Sequence, residues 1–159
     1  MDSFDYFERF LSPTERATAT NELAELGTAA LPILELLFTG KAKNNFGVPY
    51  NELIALDCGY ITCKLLGVLA KPLENYIRVG IQKNHPYAIE AAGKLMNLEE
   101  KTIIALAEAL NRNPFGNDAA YVLVQYNEHK NVAVKAIVKD NKEATLMIGR
   151  AENYLNKKL

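Results

Sequence analysis

Tryptophan is absent from this 159-residue sequence, and cysteine and histidine occur only twice each. Two cysteines are too few for a disulfide-stapled scaffold and fit a reducing, cytoplasmic setting. Cys58 and Cys63 lie five apart, which on one helix turns them about 140° from each other. They therefore make no CxxC redox or zinc pair and read as small core residues. Neither His85 nor His129 has a second histidine at ligand spacing, so no metal is expected. A nucleophile pair of Cys58 with His85 has no support in the local sequence. There is no glycine-rich phosphate loop, no Gly-x-Ser-x-Gly and no His-Glu-x-x-His. Glu99 and Glu100 are explained as acidic residues at a helix start. Neither an enzymatic activity nor a cofactor is expected from these residues.

A large excess of either charge is also missing. Eighteen Lys and Arg stand against nineteen Asp and Glu, a formal net charge of −1. That excludes a globally basic nucleic-acid binder but leaves a local basic stripe open. No apolar run approaches the roughly 18 residues of a membrane span, so no membrane partner is expected. The start, Met1-Asp2-Ser3-Phe4-Asp5, is acidic and lacks a cationic segment, which predicts no secretory signal. With 49% hydrophobic residues the chain is rich enough in apolar side chains to fold, and one domain over 1–159 is expected.

Strand signals are scarce and helix punctuation is frequent. Ser12-Pro13-Thr14-Glu15 predicts a capped helix start with Pro at the first position and a capping-box glutamate. Asn84-His85-Pro86 and Asn117-Asp118 predict later starts. The β-branched runs Val122-Leu123-Val124 and Ile137-Val138 sit in helical-period context and read as helix.

The chain also repeats itself. Leu26-Gly27-Thr28-Ala29-Ala30-Leu31-Pro32 matches Leu66-Gly67-Val68-Leu69-Ala70-Lys71-Pro72, and Gly40 matches Gly80 at the same offset. Met96-Asn97, Tyr126-Asn127 and Leu155-Asn156 continue the Leu66-Gly67 series. Asparagine is the usual substitute for glycine at a left-handed helix end, so Gly27, Gly67, Asn97 and Asn127 form one column. Two apolar columns follow it, Ile33, Leu73, Ile103 and Ala133, then Leu37, Ile77, Ala107 and Ile137. The pattern predicts four helix-turn-helix units over roughly 12–39, 49–82, 85–112 and 116–140. A helix at 3–11 precedes them and one at 142–157 follows. The first period is longer, and residues 41–47 are its surplus loop.

Leu26-Gly27-x-x-Ala30-x-Pro32-x-Leu34-x-x-Leu37 and Leu66-Gly67-x-x-Ala70-x-Pro72 resemble short HEAT-like repeats. The later units depart from the motif, with Thr102 and Val132 in place of the proline. The resemblance implies an all-α, right-handed solenoid whose second helices line a concave, partner-binding face. HEAT-like proteins include scaffolds, DNA-repair glycosylases, phycobilin lyases and small bacterial immunity proteins that neutralise toxins. The repeat carries no chemistry of its own.

Beside the apolar columns runs a stripe on the second helices: Leu31, Glu35, Phe38 and Ala42; Lys71, Asn75, Arg78 and Gln82; Lys101, Ala105, Glu108 and Arg112; Asn131, Lys135, Val138 and Lys142. Six of these residues are basic and two acidic. Within the stripe, the candidate partner contacts are Glu35, Lys71, Asn75, Arg78, Gln82, Lys101, Glu108, Arg112 and Lys135. Phe46, an apolar ring in the polar surplus loop, is a further candidate. The expected function is a non-enzymatic protein-binding module for an acidic partner, with toxin neutralisation as its specific form. The alternative is a nucleic-acid binder using the basic stripe against phosphates.

Overall fold

The computed structural model describes residues 2–112 and 116–158. Among these residues the regular structure is helical, and the one β feature is an isolated antiparallel bridge between Lys43 and Pro49. The chain divides into two compact units, one ending at Tyr76 and the other beginning at Ile77.

The first unit holds α1 (Ser3–Leu11), α2 (Arg16–Glu25), α3 (Ala30–Phe38), α4 (Ala55–Leu66) and the start of α5 (Glu74–Gln82). Helix α1 packs against α2 and α4, α2 against α4, and α3 against α4. The centre of this unit is aromatic: Phe7 lies 5.3 Å from Tyr50 and 6.2 Å from Phe10. Tyr50 donates its buried hydroxyl to Glu8. Phe38 stacks on both Tyr60 and Tyr76, at 5.1 and 5.6 Å. Gly59 lets α3 and α4 come this close. A Cβ there would lie 2.6 Å from Leu37 Cδ2 and 3.1 Å from the Phe38 ring.

The second unit holds the rest of α5, with α6 (Pro86–Ala92), α7 (Glu100–Arg112), α8 (Gly116–Gln125), α9 (Val132–Val138) and α10 (Lys142–Lys157). Here α8 packs against α6, α7 and α10, and α9 packs against α7 and α10. First helices of successive pairs thus lie side by side (α6, α8, α10), as do the second helices α7 and α9. Ile77, Ile81, Ile89, Leu95, Leu106, Leu110 and Leu123 fill the core of this unit.

Several expected signals take other forms. The capping box at Ser12 does not close: residues 13–15 make a turn, and α2 starts at Arg16 without a side-chain cap. The Ser12 hydroxyl meets that of Thr14 instead. Arg16 turns back and donates to the Phe10 and Leu11 carbonyls at 2.7 and 3.4 Å, satisfying the end of α1. Gly27, Gly67 and Asn127 have positive φ as expected, but Asn97 does not; Met96, one residue earlier, takes the left-handed position with φ 76°. The cause is the early end of α6 at Ala92, which leaves a longer descent to α7. Gly40 has φ 72°, whereas its repeat partner Gly80 is helical inside α5. Leu155-Asn156 lies inside α10 and marks no turn. Pro86 opens α6 as expected, and Asn117-Asp118 falls within α8, whose described residues begin at Gly116.

The apolar columns hold in the middle of the chain and rotate in α9. Leu73, Ile77, Ile103 and Ala107 are buried. In α9 the inward face has shifted by one residue, so Val134 and Val138 are buried; in α3 Leu37 keeps its place in the core, and Leu34 and Phe38 are buried beside it. Ile33, Ala133 and Ile137 are only half-buried.

Candidate functional site

Burial breaks up the stripe. Phe38, Ala42, Ala105 and Val138 belong to the core and cannot meet a partner. In the first unit Glu35 is exposed on α3 and accepts a hydrogen bond from the Tyr76 hydroxyl at 3.1 Å. Loss of hydration, then the Glu35 contact, pushes the Tyr76 phenol upward. Lys71 pairs with Glu74, whose side chain is 2% exposed. A carboxylate that deep needs a partner, so the Lys71 ammonium has a structural task.

In the second unit the Arg78 side chain is 17% exposed; it reaches Glu99 Oε2 at 3.3 Å and Thr102 Oγ1 at 3.5 Å. Arg112 donates from Nε to Asn84 Oδ1 at 2.9 Å and from Nη2 to the Ile81 carbonyl at 3.0 Å. It therefore closes the end of α5, where the orphan carbonyls need donors. The same device recurs. Asn51 donates to the Phe38 carbonyl at the end of α3 (3.1 Å), and Asn111 to the Ile137 carbonyl near the end of α9 (2.9 Å). Gln82, Lys101, Glu108 and Lys135 are exposed, as is Asn75 in the first unit. Of the basic candidates, then, Lys101 and Lys135 extend into solvent, while Lys71, Arg78 and the exposed Arg112 bind their own chain.

Phe46 stands out by exposure, at 90%. Its loop is ordered by its own backbone. Asn44 Oδ1 accepts from the Phe46 and Val48 amides at 2.9 and 3.0 Å, and Asn44 N donates to Val48 O at 2.9 Å. Gly47 supplies the φ of 79° that the reversal needs.

A cavity that the sequence did not disclose lies between the end of α8, the turn after it, and α10. It measures about 450 Å³ and is lined mainly by polar side chains, among them Gln125, Asn127, His129, Lys130, Glu152 and Asn156. The His129 side chain is 9% exposed, with Nε2 at 3.9 Å from Glu152 Oε2, too far for a hydrogen bond. Its Nδ1 has no hydrogen-bond partner. His129 and Glu152 are 23 positions apart, so only the packing of α10 brings them together. Among the described residues no group of three His, Cys, Asp or Glu could hold a metal ion. No helix of the described residues is long and apolar enough to cross a membrane.

Both cysteines are buried and reduced. Burial pushes the Cys63 thiol up to about 12, and burial is also the main cause of the upward shift at Cys58.

Compared with family models, with curated proteins and with solved structures, the chain finds no match in any of the three.

Proposed function

We propose that this chain is a non-enzymatic, cytoplasmic protein-binding module, built as a right-handed solenoid of HEAT-like helix pairs. The like-with-like packing of α6, α8 and α10, and of α7 with α9, supports the repeat reading. The observation that carries the choice of partner is the division of the basic residues. A polyphosphate binder needs many ammonium and guanidinium groups directed at solvent, because affinity rises with each phosphate neutralised. Here Lys71, Arg78 and Arg112 are bound internally, which favours a protein carrying a few carboxylates over a nucleic acid. Neutralisation of a toxin is the specific form of this role that we favour.

The internal bonds also dictate how to test it. Reversing Arg78 would break its contact with Glu99, so the informative variant is Lys101→Glu with Lys135→Glu, both on exposed positions. Tagged wild type should co-purify a stoichiometric protein from its native host. The double variant, equally folded by circular dichroism, should lose it through like-charge opposition. Binding to a duplex oligonucleotide should be weak at about 50 mM salt; tight binding that collapses by about 200 mM would overturn the reading in favour of nucleic acid.

A further inference from the structure

The loop between α3 and α4 is built to hold one aromatic ring in water. Its base is fixed: Ala42 and Tyr50 are each 1% exposed, and Tyr50 N donates to Ala42 O at 3.0 Å. Above them the Lys43–Pro49 bridge, the Asn44–Val48 pair and the two amides held by the Asn44 side chain close the turn. Backbone ordering is therefore complete before any partner arrives, which lowers the entropy lost on binding. Phe46 gains nothing from this order in the isolated chain, since its ring lies in solvent. Its tip neighbours Asn45 and Gly47 and its flanking Lys41 and Lys43 are all exposed.

We propose that Phe46 is the anchor of the protein interface, inserting into an apolar pocket of the partner whose rim carries carboxylates that meet Lys41 and Lys43. This rests on the protein-binding reading above and names the contact that it lacks. The charge of the flanks selects the acidic rim. A bilayer is the weaker occupant: a single ring with two ammonium groups falls short of the two strong signals that stable anchoring takes. Nucleic-acid stacking platforms use successive aromatic side chains, and this tip offers only one.

The test uses the full chain with Phe46→p-benzoyl-phenylalanine, and Thr145→p-benzoyl-phenylalanine on exposed α10 as the comparison. Irradiation in the native host should attach position 46, and not position 145, to one protein, with the adduct mapped by mass spectrometry to a pocket flanked by Asp or Glu. With that protein purified, Phe46→Ala should weaken binding by about 30-fold or more, as expected of a central aromatic anchor, with an unchanged thermal melt. Lys41→Glu with Lys43→Glu should weaken it by about tenfold and flatten its salt dependence. Absence of a protein adduct at position 46 overturns the proposal, as does an adduct on lipid or nucleic acid. So does Phe46-dependent sedimentation with phosphatidylcholine vesicles containing phosphatidylserine. A partner kept by Phe46→Ala but lost by the Lys101 and Lys135 reversal sinks the anchor alone and leaves the protein-binding reading standing.

Discussion

Gly67 and Asn127 occupy one column of the repeat, and a reading by residue type makes them interchangeable. Their backbones disagree. Asn127 sits at φ 59°, ψ 24°, the ordinary left-handed region, whereas Gly67 sits at φ 59°, ψ −128°, outside every region that an L side chain favours. Asparagine tolerates the first conformation because its short polar side chain bonds locally; nothing equivalent helps it at the second. Gly67→Ala and Gly67→Asn should therefore cost nearly the same, about 1–3 kcal/mol each, the usual strain of a sparsely allowed backbone. At about 2–4 °C per kcal/mol for a chain of this length, both melts should fall by roughly 2–12 °C. Asn127→Gly, by contrast, should stay within about 0.5 kcal/mol of wild type, since it exchanges one left-handed residue for another. Urea unfolding followed by circular dichroism measures all three. A Gly67→Asn variant as stable as wild type, beside a damaged Gly67→Ala, would show that position 67 is an ordinary left-handed terminus and refute the distinction.

Two further outcomes follow from the bonds described above. Arg112→Ala should destabilise by about 1–2 kcal/mol through loss of its two bonds at the end of α5, and Arg112→Lys should recover less than half, because an ammonium cannot span the fork; equal urea midpoints for wild type and Arg112→Ala would contradict this. With its pKa held at about 12, above the usual thiol value near about 8.5, Cys63 should resist iodoacetamide at about pH 8 in the folded protein and react in urea. The same raised value contributes stability that is complete below about pH 8.5 and is lost as the pH climbs toward about 12, a loss that Cys63→Ser should reduce in alkaline urea titrations.

The helices were legible because their signals are local. Proline at Pro86, the positive-φ Gly27 and Gly67, and apolar residues at i and i+4 in α5 and α7 act within one or two turns, so a single sequence carries them. The failures sit where a distant contact overrides a local preference. Ser12 could have capped α2, but Arg16 is held by the Phe10 and Leu11 carbonyls, and the helix begins at that residue instead. Met96 takes the left-handed position that residue type assigns to Asn97, because the span between α6 and α7 is set by where those helices pack. A rotation of α9 by one residue leaves the periodicity intact and changes which side chains it buries.

The site was less legible than the fold for a reason of the same kind. A sequence counts charges on a face but does not reveal which of them are already paired. Arg78 finds Glu99 at a separation of 21 residues, and Arg112 finds the Ile81 carbonyl at 31. Both look like solvated cations on a helical wheel, and both stabilise their own unit. The long guanidinium side chain makes this outcome common, since it can cover apolar surface and still reach an orphan carbonyl. Lys101 and Lys135 have no such acceptor among the hydrogen bonds and ion pairs described, and they remain as the cations a partner could meet. Phe46 was legible for the opposite reason: an aromatic residue between Asn45 and Gly47 has no helical face to join, and the loop that carries it closes through contacts two to eight residues apart. Local chemistry therefore decided the order of that loop, whereas long-range packing decided the fate of the stripe.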